Sequence, residues 1–279
     1  MFEAGYRRIR RRAAAVALAA AVLTGTAGCG DGDPPADDGR PRASTTSTTA
    51  PAPGALTEQQ LTARSFTEGE KVGRYTASEY TLGAPLGEEY TADPAVCQPL
   101  VSLAQGATAH APSAEVHRKV DVPDEMTGTT VAVTLRSYSP EDAAAVMKAL
   151  DTAGKECAAG FTEVRAIAKA TYLKVEPAEA PAVGDEADEA DEAKAFRFTV
   201  LDVKGKLKLY EYLTVLRSGS TTLSFRGEIT GTKDIGGVPQ EVITAQWEKF
   251  SAGDAGDAGD AGDAGDAGDA GDVADDGGA

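Results

Sequence analysis

Three cysteines, two histidines and a few adjacent acid pairs are the side chains of this 279-residue sequence whose types could do chemistry. Cys97 follows Asp-Pro-Ala-Val on a short helical stretch, and Cys157 falls on the inward face of a longer helical pattern. Outside the cytoplasm such a pair oxidises. A disulfide closing a loop of about 60 residues is worth about 4 kcal/mol in the chain-entropy model. The rival readings are a metal pair and a catalytic thiol. A metal pair needs more ligands, and His110 and His117 stand at neither zinc-finger nor HExxH spacing. No nucleophile elbow, Walker loop, dinucleotide fingerprint or kinase signature occurs in the chain. Gly231-Thr-Lys-Asp-Ile-Gly-Gly237 lacks phosphate-loop spacing and reads as a connection into the last helix. His117, next but one to Glu115, reads as an outward-facing strand residue, and Glu141 and Asp142 suit a helix N-terminus. The expectation is therefore no catalytic residue, no metal and no cofactor.

Cys29 carries a different chemistry. Arg7, Arg8, Arg10, Arg11 and Arg12 form a cationic stretch, residues 13 to 23 an apolar one, and Thr26-Ala27-Gly28 supplies small residues before the cysteine. This is the pattern of a cleaved export signal, and its apolar run is too short to span a bilayer. Thr26-Ala27-Gly28-Cys29 resembles the lipobox of bacterial lipoproteins, with Thr26 where leucine is usual. The resemblance implies a diacylglyceryl thioether on Cys29, and two acyl chains anchor stably where one is marginal. The alternative is a plain secreted protein with Cys29 as a free thiol. Arg7-Arg8 leaves both the general and the twin-arginine export routes open.

The formal net charge of −17 belongs mostly to two segments. Nine aspartates lie between Asp254 and Asp276, and six acidic residues lie in the insert 185–192. Nothing basic remains clustered in a patch that suits nucleic acid. Residues 30–55 contain no apolar side chain larger than alanine other than proline, and 29–55 read as a disordered tether after a 1–28 signal peptide. From Ala252 a Gly-Asp-Ala repeat runs at period three without proline, which excludes a collagen-type helix and predicts a self-repelling disordered tail over 252–279. Residues 56–251 remain as one domain, with the acidic insert inside it.

Within that domain, apolar residues alternate through Phe196, Phe198 and Val200, then Leu207 to Val215, then Leu223, Phe225 and Ile229, with turns at Gly205 and at Ser218-Gly219-Ser220. An antiparallel meander is predicted, apolar on one face and solvated on the other, with Tyr210 and Tyr212 on the wetter side. Further strands are expected at Val131 to Tyr138, Ala114 to Val122 and Thr171 to Val175. Ser139-Pro140-Glu141-Asp142 opens a helix whose stripe is Ala143, Val146, Met147, Leu150, Ala153 and Cys157. Ile243, Trp247 and Phe250 mark a last helix, and shorter ones are predicted over residues 57–65 and 94–105. The expected architecture is α+β: a single antiparallel sheet of about five to six strands with helices on one face.

Cys97-Gln-Pro-Leu100, the Ser139 helix ending at Cys157 before Gly160-Phe161, Gly184-Asp185-Glu186 before Phe196, and Val215 to Phe225 together resemble an actinobacterial, Streptomyces-type group of surface lipoproteins. More distantly they are similar to the extracellular sensor-domain family of mycobacterial serine/threonine kinases. The resemblance implies an α+β fold with disulfides and a cleft. The expected function is non-catalytic ligand binding or sensing on the extracytoplasmic face of the cell membrane, held by the lipid anchor, with an unknown small molecule as ligand. A cell-envelope protein that binds a protein or wall polymer through an exposed sheet face is the alternative. An envelope hydrolase is a third class, because catalytic groups can converge from distant positions.

Overall fold

The period-2 segments form one antiparallel sheet, and the helical stripes close its two faces. A computed structural model describes residues 54–81, 83, 90–102, 109–122, 129–165, 168–184, 189–229 and 232–259. Cys29, the leader and the tether to residue 53 lie outside these, as do residues 185–188 and 260–279. All described residues belong to one compact unit, Thr48–Ala279.

The strands are β1 (Lys71–Val72), β2 (Tyr75–Glu79), β3 (Thr91–Asp93), β4 (Ala114–Asp121), β5 (Thr129–Ser137), β6 (Phe161–Val164), β7 (Lys169–Pro177), β8 (Glu192–Leu201), β9 (Lys208–Ser218) and β10 (Thr221–Ile229). The helices are α1 (Glu58–Ala63), α2 (Gln98–Ser102), α3 (Pro140–Glu156) and α4 (Gln240–Gly259), with a 3-10 turn at Ala95–Cys97 leading into α2. The sheet order is β1-β2-β4-β5-β10-β9-β8-β7-β6-β3. Ten strands replace the expected five to six. The additional ones, β1, β2, β3 and β6, span two to five residues each, too short to show a period.

Local chemistry sets the turns. Asp202 accepts the backbone N–H of Lys206 at 2.6 Å and of Leu207 at 2.8 Å, which fixes the β8–β9 connection around Gly205. In β7 the register slips between Tyr172 and Lys174, so Leu173 is the extra residue of a bulge and its side chain is exposed. Facing that bulge, Gly160 takes φ 99°, where an added Cβ would run into the backbone of Tyr172 and Leu173.

Helices lie on both faces, not one. Along β9, Tyr212 and Leu216 join a core with Leu61 of α1 and Val242, Ile243, Trp247 and Phe250 of α4. Leu213 and Val215, pointing the other way, join a second core with Leu100 of α2 and Val146, Met147 and Leu150 of α3. The meander therefore has no wet face: Tyr212, Thr214, Thr222, Ser224 and Arg226, expected toward water, are all buried. Polar residues in a strand signal solvent only while nothing packs on that face, and here a second helical layer does.

Two expected boundaries move. Helix α4 continues eight residues beyond 251, to Gly259, so the first part of the Gly-Asp-Ala repeat is helical. Alanine favours helix, and the Arg64 guanidinium donates to the Gly253 carbonyl at 3.2 Å. The acidic insert ends inside the sheet. Arg217 pairs with Asp191 at 3.0 Å and with Glu192 at 2.9 Å, and Asp191 also accepts the Gly219 N–H at 2.7 Å.

Candidate functional site

Helix α3 begins where Ser139 accepts the N–H of Asp142 at 3.1 Å and Pro140 occupies the first turn. Its apolar stripe seats on the sheet. Beside that stripe run Ala145 and Ala149, small and half-buried, flanked by exposed Lys148 and Thr152. The 3-10 turn and α2 lie opposite. Five residues are too few for a self-supporting helix, and here a disulfide ties Cys97, at the end of the turn, to Cys157, the C-cap of α3, with Cα atoms 5.9 Å apart. Gln98 adds a second tie, accepting the Ala92 N–H at 2.7 Å and donating to the Tyr90 carbonyl at 3.0 Å.

Between these walls lies a cleft of about 460 Å³. Val96 and Pro99 line one side, and Ala145, Val146 and Ala149 the other. Val96 is 42% exposed, although it is a large aliphatic residue on a domain with a well-filled core. The cleft volume falls within the roughly 300–1,000 Å³ of small-molecule sites, and the apolar walls suit a ligand with an apolar body.

At one end His110, Asp142 and Ser139 meet. His110 Nδ1 lies 2.9 Å from Asp142 Oδ1, and Ser139 Oγ donates to Asp142 Oδ2 at 2.8 Å. The residue types are those of a hydrolytic triad, but the hydroxyl serves the carboxylate and not the imidazole, the reverse of the arrangement that would activate it. The carboxyl of Asp142 is held below its ordinary range, first by Ser139 and then by His110. The constellation is a helix cap joined to a histidine.

A polar recess of about 570 Å³ is lined by Glu58, Ser113, Glu115 and His117. His117 is 7% exposed, not the surface residue expected; its Nδ1 lies 3.2 Å from Thr134 Oγ1. The carboxyl of Glu115 is depressed to about 2, with His117 as the first cause and Arg136 as a further one. The His117 Nε2 is 3.6 Å from Glu115, beyond hydrogen-bond reach, while Arg136 Nε donates at 3.0 Å. The guanidinium is both nearer and permanently charged, and is the stronger partner.

Deep in the second core, Arg226 pairs with Glu211, donates to the Tyr172 hydroxyl at 2.7 Å and lies 4.9 Å from the Phe198 ring centroid. Tyr172 in turn donates toward Glu163, which accepts Arg165 Nε at 2.6 Å. Burial would lower the Arg226 pKa, but the facing Glu211 and Glu163 carboxylates outweigh it and the guanidinium stays charged. Burial raises the Tyr172 phenol well above its ordinary value. This network ties β6, β7, β9 and β10 together and has the character of a structural ionic core.

Among the described residues no group of three His, Cys, Asp or Glu side chains could hold a metal ion. Among them, too, no helix is long and apolar enough to cross a membrane. The structure brings Cys97 and Cys157 together; Cys29 lies outside the described residues. The resemblance implied a cleft, but no residue pattern in the sequence placed it between α2 and α3. Its one sequence signal is the small-residue face Ala145, Ala149 of α3, which adjoins the core stripe and which no core position requires.

No protein-family model and no curated protein matches the chain. Among solved structures, the extracellular domain of PknH from Mycobacterium tuberculosis aligns at 13% identity and a TM-score of 0.40, over 74% of this chain and 98% of that one. An uncharacterised protein from Mycobacterium smegmatis aligns at 15% identity and a TM-score of 0.34, over 73% of this chain and 97% of that one. Similarity at this level assigns neither family nor function.

Proposed function

We propose that this chain is a non-catalytic, small-molecule-binding domain held at the extracytoplasmic face of a membrane by a lipid on Cys29. The observation that carries the binding half is the apolar cleft between α2 and α3, a preformed cavity braced by a disulfide. A disulfide suits an oxidising compartment, in keeping with the export signal at residues 1–28. The non-catalytic half is supported by the arrangement of Ser139, Asp142 and His110, in which the serine hydroxyl donates to the carboxylate and not to the imidazole. An exposed-sheet docking surface has little support, because the face that would form it is buried under a second layer.

Native mass spectrometry of the exported chain, prepared without detergent, is the test of binding. A non-covalent small-molecule adduct is expected, and a bare chain that takes up nothing from an envelope metabolite extract contradicts the reading. Labelled palmitate tests the anchor separately. Incorporation that disappears in Cys29→Ser is expected, and an unlabelled wild-type chain contradicts the anchor.

A further inference from the structure

We propose that the cleft takes a single-chain anionic amphiphile, an alkyl carboxylate whose chain lies along Val96, Pro99, Ala145 and Ala149 and whose head meets Lys148. The proposal rests on the ligand-binding reading and names the class of ligand. The apolar walls reward burial of a hydrocarbon chain at about 25 cal/mol per Å². The head group follows from the polar groups that line the cleft, most of which are already committed. Gln98 spends its amide on Tyr90 and Ala92. Thr152 donates to the Lys148 carbonyl at 3.1 Å within its own helix. His110 faces Asp142.

Lys148 differs from these. Asp151, three residues on and the natural counter-ion on a helix, is held by Lys155 at 2.5 Å and by Lys194 at 3.1 Å. Asp142, at the start of the same helix, is bonded by Ser139 and His110. Among the described residues Lys148 is thus an ammonium with no carboxylate partner, at the lip of an apolar wall. Such a site favours a ligand with an anionic end and disfavours a cationic one. The volume of about 460 Å³ suits one chain, which favours a free carboxylate over a two-chain membrane lipid.

The test is calorimetric titration of the full chain with decanoate and with decanol, both below their aggregation limits. Decanoate should bind about fivefold tighter at low ionic strength, as an exposed ion pair contributes, and the difference should shrink in salt. Lys148→Gln should bring decanoate to the affinity of decanol and leave decanol unchanged. Ala149→Trp, which fills the cleft from a half-buried position, should abolish both. Should that variant not fold, Val96→Asp places a charge on an already exposed side chain and should weaken both, decanoate more than decanol. Equal affinities in the wild type, or an advantage for decanoate that survives Lys148→Gln, overturn the anionic head and leave the cleft reading standing. Binding that persists undiminished in Ala149→Trp or Val96→Asp overturns the cleft reading itself. Phosphatidylglycerol vesicles that bind the chain through Lys148 while decanoate does not would assign the site to a bilayer surface and overturn the proposal.

Discussion

Arg226 shows how a single residue can be read correctly by type and wrongly by place. It sits between Arg-tolerant polar neighbours, Ser224 and Glu228, in a strand that alternates with Leu223 and Phe225, a pattern that normally means one dry and one wet face. It is instead 5% exposed, and its charge is balanced by Glu211 and the Tyr172 hydroxyl. Removing one partner of such a pair leaves the other charge buried and uncompensated. Arg226→Ala is expected to lower stability by about 3 kcal/mol in chemical denaturation; a loss within that of a surface substitution would show that the pair is not buried. Glu115 gives a pH signature. Its carboxyl titrates at about 2 when folded, against about 4.3 in an unfolded chain. A depressed acid stabilises the fold fully above the unfolded value and loses that contribution as pH falls toward 2. Glu115→Gln should therefore flatten the acid limb of the stability curve below about pH 4.5 and leave no comparable change in slope above pH 6; an unchanged acid limb would refute the Arg136 pairing.

At the scale of elements, what was legible depended on length. Helix α3 spans 17 residues, and its cap, proline and stripe all appear in the sequence because a 3.6-residue period has room to repeat. The long strands β8, β9 and β10 were legible for the same reason. Strands of two to five residues such as β1 and β6 carry no period, so four of the ten strands were invisible. The cleft was harder still. It arises where α2, of five residues, is pressed against α3, and neither helix encodes that approach in its own pattern. It follows that α2 depends on the covalent tie. Reducing the Cys97–Cys157 bridge should cost about 4 kcal/mol of stability. It should also abolish ligand binding at temperatures where the sheet, followed by far-ultraviolet circular dichroism, is still folded. Binding that survives reduction would mean that packing alone holds α2 in place.

For the whole molecule, the acidic charge and the folded unit are less separate than composition suggested. Asp191 and Glu192 of the insert pin the β8–β9–β10 turn through Arg217, and the repeat enters the structure as the end of α4. The sequence showed two acidic low-complexity segments; it could not show where pairing with an arginine drew their ends into the fold. This moves the dispensable boundary. Deleting residues 260–279 should leave the melting temperature unchanged, whereas deleting from Ala252 removes the Arg64–Gly253 hydrogen bond and should lower it by about 2–4 °C. Identical melting of the two truncations would show that the last turns of α4 do not pack. The larger claim is that a ligand occupies the α2–α3 cleft, and hydrogen exchange followed by mass spectrometry addresses it without a labelled ligand. With decanoate bound, or with whichever small molecule co-purifies, protection should rise in peptides covering residues 95–102 and 140–156 and stay constant in β9 and β10. Protection confined to the polar recess around Glu115 and His117, or none anywhere at saturating ligand, would contradict the account.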